Sequence, residues 1–210
     1  MKSKLLLSIV YLSLIFAQTI SVKAQQGLRS YHVVNRSMEL IKDSGIVRLN
    51  ATEGVGIAWI KGEQFKEGII EFDIKGKDAF QDSFVGIAFH GLNDTTYESI
   101  YFRPFNFRAT DPVRKAHAVQ YIANPAYDWP KLREEFPNQY ERPVSPDIDP
   151  NDWFHVKISV VKDRITVYIA NTRQPVLSVQ SLLRRKGWKI GLWAGNGSDG
   201  SWKNLKLTHK

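Results

Sequence analysis

Short runs rich in β-branched and aromatic residues recur along this chain, separated by Gly, Asn, Asp and Pro. Many short strands at such spacing are typical of a sandwich or barrel of antiparallel sheets. The sequence therefore predicts an all-β fold. The predicted strands cover residues 46–49, 55–60, 68–74, 84–89, 99–103, 118–122, 154–161, 165–169, 176–179, 189–193 and 204–207.

One long segment interrupts this series. Residues 105–152 carry seven of the nine prolines, and within them residues 128–136 have Pro130 early and Pro137 just after the segment, which predicts a single short helix. The aromatic residues Tyr127, Trp129, Phe136 and Tyr140 within the long segment argue against disorder. We expect an ordered insertion that forms a lid or wall beside a groove.

The N-terminal residues have the composition of a secretory signal. Lys2 and Lys4 precede an apolar stretch over residues 5–16, and a small-residue cleavage site follows at residues 22–24. The prediction is a signal peptide over residues 1–24 and a mature single domain over residues 25–210, secreted or periplasmic, with no integral membrane segment after cleavage. An uncleaved anchor is the alternative, but the apolar run is short for a bilayer.

Net charge and cysteine content limit the classes of partner and of covalent modification that the chain can have. The chain carries a formal charge of +8, and removal of the three lysines of the signal leaves 26 basic against 21 acidic residues, or +5. The basic residues are dispersed apart from residues 184–186, whereas nucleic-acid binding needs a concentrated basic face. An acidic polysaccharide remains a possible partner. Without Cys, the chain has neither disulfides nor a lipidated cysteine.

Residues 101–107 and 117–121 bring aromatic, guanidinium, amide and imidazole groups into one strand-and-loop region. Rings cover the C–H faces of a pyranose, while Arg, Asn and Gln bind hydroxyls or carboxylates directionally. These residues predict binding of an oligo- or polysaccharide, although some of the rings could simply be core. The predicted substrate-binding residues are Tyr101, Arg103, Asn106, His117, Gln120, Tyr121, Trp129 and Trp193. In this prediction the two tryptophans stack on the sugar, and Arg103, Asn106 and Gln120 orient it.

Alternation along the strands predicts which side chains face away from the core. Small residues at Gly86 and Ala88 share a face with His90 and leave room beside it. If the strands concerned belong to one sheet, its outer face is a sugar-binding surface. The residues expected on that face are Glu71, Asp73, His90, Tyr101, Arg103 and Trp193.

Five segments together resemble the concanavalin A-like lectin/glucanase superfamily, and are most similar to its bacterial laminin-G-like and 3-keto-disaccharide hydrolase-like branch. They are GIIEFDI at 68–74, FVGIAFH at 84–90, DWFHVK at 152–157, GLWAG at 191–195 and WKNL at 202–205. The resemblance implies a two-sheet antiparallel jelly-roll sandwich with a concave face. Members of the superfamily include lectins, carbohydrate-binding modules, glycosidases and lyases, so the fold does not choose the function.

The candidate catalytic residues are Glu71, His117 and Glu141. Glycosidases of the superfamily carry Glu-x-Asp-x-x-Glu on one strand, and here Glu71 and Asp73 match its beginning while Gly76 stands at the last position. The acid/base of that mechanism is therefore missing. Glu71 would need a second carboxyl from the insertion, such as Glu141 or Asp111.

A polysaccharide lyase is the other enzymatic alternative. His117 or Tyr121 would move the proton, and Arg103 would neutralise a uronate and the charge that develops next to it. A histidine in a β-rich loop also has an ordinary structural role as a hydrogen-bonding residue, and both possibilities stay open.

Two further possibilities are a Ca²⁺ site and a protein-interaction surface. The turn at residues 196–200 is rich in oxygen and could bind Ca²⁺, although a simple hairpin turn fits it better, and no nucleotide-binding or zinc motif suggests another cofactor. A protein-interaction module like a laminin-G domain would instead show an exposed apolar patch.

Overall fold

The computed structural model describes residues 29–210, and the predicted signal peptide at 1–24 lies outside them. The strands are β1 (Tyr31–Val34), β2 (Met38–Ile41), β3 (Ile46–Leu49), β4 (Gly56–Ile60), β5 (Gly68–Lys75), β6 (Val85–Gly91), β7 (Tyr97–Phe102), β8 (Val119–Asn124), β9 (Glu141–Arg142), β10 (Phe154–Val161), β11 (Arg164–Ile169), β12 (Leu177–Gln180), β13 (Lys189–Ala194) and β14 (Gly200–His209). Each predicted strand corresponds to one of them. The strands β1, β2 and β9 were not predicted, and each has four residues or fewer.

The strands form two antiparallel sheets of seven, packed as a jelly-roll sandwich, so the predicted fold is confirmed. The front sheet has the order β1-β4-β13-β6-β7-β8-β9, and the back sheet has the order β12-β11-β10-β5-β14-β3-β2. Their inner faces meet in an apolar core. Phe102 of the front sheet packs on Phe154 of the back sheet at 5.2 Å between ring centroids, and Trp202 donates to the Gly86 carbonyl at 3.0 Å.

Residues 103–152 hold more structure than the one helix expected. A 3-10 turn (Pro104–Asn106) and a helix α1 (Pro112–Ala116) precede β8, and the predicted helix follows as α2 (Trp129–Glu135). Both helices start in the same way, because Asp111 and Asp128 cap the first turn with their carboxylates and a proline follows each helix start. Strand β8 anchors the insertion to the front sheet by pairing with β7. In the described part of the chain, no helix is both long and apolar enough to cross a membrane.

The six residues expected on one outer face are divided between three places. Glu71 and Asp73 lie on β5 and so belong to the back sheet, where they face outward. That part of the prediction is wrong, because alternation shows which residues share a face of one strand and does not show which sheet the strand joins.

His90 is also displaced from the predicted face. It adopts a left-handed backbone conformation with φ of 51° beside an irregular register between β6 and β13, and its side chain is buried. A bulge of this kind breaks alternation, so His90 and the preceding Phe89 both point into the interior. Only Tyr101, Arg103 and Trp193 remain together on the front of the molecule.

Candidate functional site

Two aromatic rings form the floor of a cavity on the outer face of the front sheet. Tyr101 of β7 and Trp193 of β13 lie on either side of Gly86 in β6, and their ring centroids are 4.8 Å apart. Because Gly86 has no side chain, the two rings meet across its strand. The space predicted next to the small residues is thus partly filled by these rings. Trp193 also donates to the Tyr97 hydroxyl at 3.2 Å.

Loops build the walls of this cavity, whose volume is about 630 Å³. The loop between β5 and β6 supplies Phe80 and Phe84, and the insertion supplies residues from α1, α2 and the 3-10 turn. The residues that line the cavity include Phe80, Phe84, Tyr101, Arg103, Phe105, Asn106, Arg114, His117, Asn124, Asp128, Trp129, Arg133 and Trp193. The insertion therefore forms a wall of the cavity, as its aromatic content predicts.

The rings differ in how much surface they offer a ligand. Tyr101 and Trp193 are 2% and 4% exposed, so most of their surface is used in packing. Trp129 and Phe80 are 46% and 58% exposed and line the same cavity. Trp129 and Phe80 thus expose more ring surface at the cavity than Trp193, although stacking was predicted for Trp193 as well as for Trp129.

Arg103 lies in the cavity wall next to the floor, and its guanidinium is held by neutral groups. Its Nη1 donates to the His117 carbonyl at 2.8 Å, and its Nη2 donates to the Tyr101 hydroxyl at 2.6 Å. The guanidinium also lies 4.8 Å from the Tyr101 ring centroid. Burial raises the pKa of Tyr101, so the phenol remains protonated near neutral pH and accepts this bond with a lone pair.

Gln120 is fully buried and does not line the cavity. Its Nε2 donates to the carbonyls of Tyr121 and Tyr140, and its Oε1 faces both terminal nitrogens of Arg103 at 3.4 Å. The predicted contact between Gln120 and a substrate is therefore wrong. Gln120 positions Arg103 instead.

His117, Glu141 and Arg133 form an ionic cluster at the side of the cavity. Arg133 donates to both carboxylate oxygens of Glu141 at 2.8 to 3.0 Å, and His117 Nε2 lies 3.1 Å from Glu141 Oε1. Burial lowers the pKa of His117, so its imidazole is neutral at pH 7. A neutral imidazole keeps one of its two ring nitrogens available as an acceptor.

Two predicted site residues lie elsewhere. Tyr121 points into the core from the inner face of β8, where its hydroxyl donates to Glu98. Glu71 is on the outer face of the back sheet, so it cannot share a site with Glu141, and the predicted pairing of these two carboxyls is wrong. On that same outer face, His155 pairs with Asp73 at 2.8 Å.

Protein groups engage the oxygen-rich side chains of the turn at residues 196–200. Asp199 pairs with Lys77 at 2.7 Å, Asn196 accepts from the Gly54 amide at 2.7 Å, and Ser198 accepts from the Phe84 amide at 2.9 Å. Among residues 29–210, no cluster of three or more His, Cys, Asp or Glu side chains is suited to hold a metal. The turn joins β13 to β14 and fixes one edge of the cavity through Asn196.

Sequence reasoning missed Phe80, Phe84, Arg114 and Arg133. Phe80 and Phe84 precede β6 on a loop that appears unrelated to the insertion in sequence. Arg133 lies four residues after Trp129 on α2, a spacing that places both on one helix face, and its guanidinium lies 4.7 Å from the indole centroid. That spacing was the available signal.

Comparison of the sequence with known families and curated proteins gives no match. No family model matches the sequence, and no curated protein matches it either. The nearer relation to the 3-keto-disaccharide hydrolase-like branch is therefore not confirmed.

Solved structures with the same architecture cover most of the chain. Carbohydrate-binding module CBM66 from Bacillus subtilis is 15% identical with a TM-score of 0.58, over 84% of this chain and 93% of that one. The exoplasmic/lumenal domain of VIP36 with Ca²⁺ and Man3GlcNAc bound is 14% identical with a TM-score of 0.54, over 86% of each chain. A putative glycosyl hydrolase from Parabacteroides distasonis is 10% identical with a TM-score of 0.52, over 84% of each chain. At these identities the likeness establishes the concanavalin A-like jelly-roll fold alone.

Proposed function

We propose that this protein binds a glycan in the cavity on its front sheet. The observation that carries the proposal is the composition of that cavity: exposed rings stand beside Arg103, Asn106 and Asn124 in a space of about 630 Å³. Rings provide contact area for the C–H faces of sugars, and fixed guanidinium and amide groups bind hydroxyls directionally. A cavity of this size is typical of small-ligand sites.

Solved structures of the same fold agree with this proposal. One of them is named as a carbohydrate-binding module, and another is described with a mannose-containing ligand bound. The predicted signal peptide at residues 1–24 would place the protein outside the cytoplasm, where it would meet extracellular or periplasmic glycans. This location stays a prediction.

The test is binding to a glycan panel by calorimetry, with Trp129→Ala as the variant. Truncating an exposed ring of the cavity wall should cost about 1–2 kcal/mol of binding free energy, or a five- to thirtyfold loss of affinity. Trp188→Ala is the matched control, because Trp188 is similarly exposed at 52% but does not line this cavity. The proposal fails if the panel contains no ligand, or if both variants bind equally well.

A second candidate, a glycan-degrading enzyme, is supported by His117. Its neutral imidazole lines the cavity and lies 3.1 Å from Glu141, and neither of its ring nitrogens has a hydrogen-bond partner in the described structure. Such a histidine is suited to act as a general base. Chromatography of the panel after prolonged incubation tests this function: product release that is lost in His117→Gln supports it, and unchanged glycans leave binding alone.

A further inference from the structure

A buried cation in the cavity wall has no counter-ion from the protein. The Arg103 side chain belongs to a residue that is only 5% exposed, yet its hydrogen-bond acceptors are a backbone carbonyl, a phenol and the Gln120 amide oxygen. It forms no ion pair with any of residues 29–210. Burial lowers the pKa of Arg103, but a guanidinium remains charged at neutral pH. Buried charges in proteins are ordinarily paired.

The nearby carboxylate does not neutralise Arg103. Glu141 attracts it, but the positive charge of Arg133 repels it. Arg133 occupies both oxygens of Glu141 and His117 contacts one of them. The ionic cluster is therefore balanced within itself and leaves the charge of Arg103 uncompensated.

A second guanidinium lines the same cavity without an acidic partner. Arg114 donates from Nε to Asn106 Oδ1 at 3.3 Å and from Nη2 to the Phe105 carbonyl at 3.0 Å. It also stacks on Phe80 at 4.5 Å from the ring centroid. These contacts fix the guanidinium plane and leave Nη1 without a hydrogen-bond partner in the described structure. Asp128 is the carboxylate that lines the cavity, and it accepts from the Lys131 amide as the cap of α2.

We propose that the glycan bound here is acidic, and that Arg103 and Arg114 bind its anionic group, a uronate carboxylate or a sulfate ester. This inference rests on the proposed function, since it names the class of glycan for the same cavity. Arginine is suited to both groups because its planar donors match their oxygens and because it is weakly hydrated. The free donors among these guanidinium groups include the Nε–H of Arg103 and both Nη1 hydrogens of Arg114, which have no hydrogen-bond partner in the described structure. Phe80 and Trp129 would then contact the apolar faces of the sugar rings.

The experiment compares three oligosaccharides that share one backbone: a uronate form, the same compound with its carboxyls reduced to neutral alcohols, and a sulfated form of the neutral compound. Calorimetry of the parent protein should give at least tenfold tighter binding for one acidic form than for the neutral form. Preference for the uronate assigns the site to carboxylates, and preference for the sulfated form assigns it to sulfate esters.

Variants then locate the anion. Arg114→Gln should weaken the preferred acidic ligand about ten- to hundredfold, which is the effect of losing a hydrogen bond to a charged group, and should weaken the neutral form much less. Arg103→Lys keeps the charge but loses the fork of donors, so it should also weaken the acidic ligand, with thermal unfolding measured to check that the variant is folded. Arg108→Gln is the control, since Arg108 lies in the same insertion, pairs with Asp147 and Asp149 and does not line the cavity.

The outcomes distinguish a failure of glycan binding from a failure of the preference for acidic glycans. If none of the three compounds nor any member of a broad glycan panel binds, the proposed function itself fails. If the neutral form binds as tightly as both acidic forms, or if Arg114→Gln weakens neutral and acidic ligands equally, glycan binding stands and the assignment to acidic glycans is overturned.

Discussion

The Tyr121 hydroxyl belongs to a buried hydrogen-bond network whose contribution to stability can be tested by one substitution. Its hydroxyl donates to Glu98 Oε1 and accepts from the Leu182 amide at 2.8 Å. The other oxygen of Glu98 contacts His90 Nδ1, and His90 Nε2 lies 2.7 Å from the Lys66 carbonyl. A carbonyl only accepts, so Nε2 carries a hydrogen. This network ties two strands of the front sheet to two loops inside the core.

Tyr121→Phe removes one oxygen and leaves the ring packing intact. Glu98 loses a charge-assisted hydrogen bond, which costs about 1.5–3 kcal/mol, and the Leu182 amide loses its acceptor, which costs about 1–2 kcal/mol at a half-buried position. We expect the free energy of unfolding to fall by about 2.5–5 kcal/mol, a large share of the stability of an ordinary domain. The pKa of Tyr121 is raised well above 10 by burial, so the hydroxyl is present as a donor throughout the accessible pH range.

Urea unfolding followed by tryptophan fluorescence measures this change, and the slope with denaturant should stay constant. Tyr140→Phe is the control, because the Tyr140 ring lies 5.3 Å from that of Tyr121 while its hydroxyl makes no hydrogen bond in the described structure. The control should lose less than about 1 kcal/mol. Equal losses in the two variants, or a loss below about 1 kcal/mol in Tyr121→Phe, would refute the assignment of this hydroxyl to the core network.

Two other predictions follow from the placement of single residues. Burial holds the pKa of His117 below its ordinary 6.5, so the folded protein binds fewer protons than the unfolded chain, and the stability present above about pH 6.5 is lost as the pH falls through the folded pKa. An NMR titration of the imidazole should give a midpoint below 6.5, and His117→Gln should flatten the acid side of the stability profile; a midpoint above 6.5 contradicts the argument. Glu71→Gln should leave glycan affinity within about twofold, because Glu71 faces outward from the back sheet, and a tenfold loss in calorimetry would show that the site is misplaced.

The local pattern of apolar and polar residues was enough to predict most of the strands and the all-β fold. Alternation in segments such as β5 and β10 follows from one buried and one exposed face, and it appears directly as apolar and polar residues in turn. Local sequence also predicts helix α2, because Asp128 and Pro130 mark its start. The aromatic insertion likewise indicated an ordered wall, and the structure places Trp129 on the cavity.

Only the tertiary structure decided which strands share a sheet and where each polar side chain acts. Glu71 and Tyr101 look alike in their own strands, yet they belong to opposite sheets, because sheet membership depends on long-range pairing that local alternation does not encode. His90 and Tyr121 are polar in sequence but satisfy each other through Glu98 in the interior. The sequence alone therefore predicted a sandwich and a mixed polar and aromatic region along β7, whereas packing placed Arg103 at the cavity and Gln120 and Tyr121 away from it.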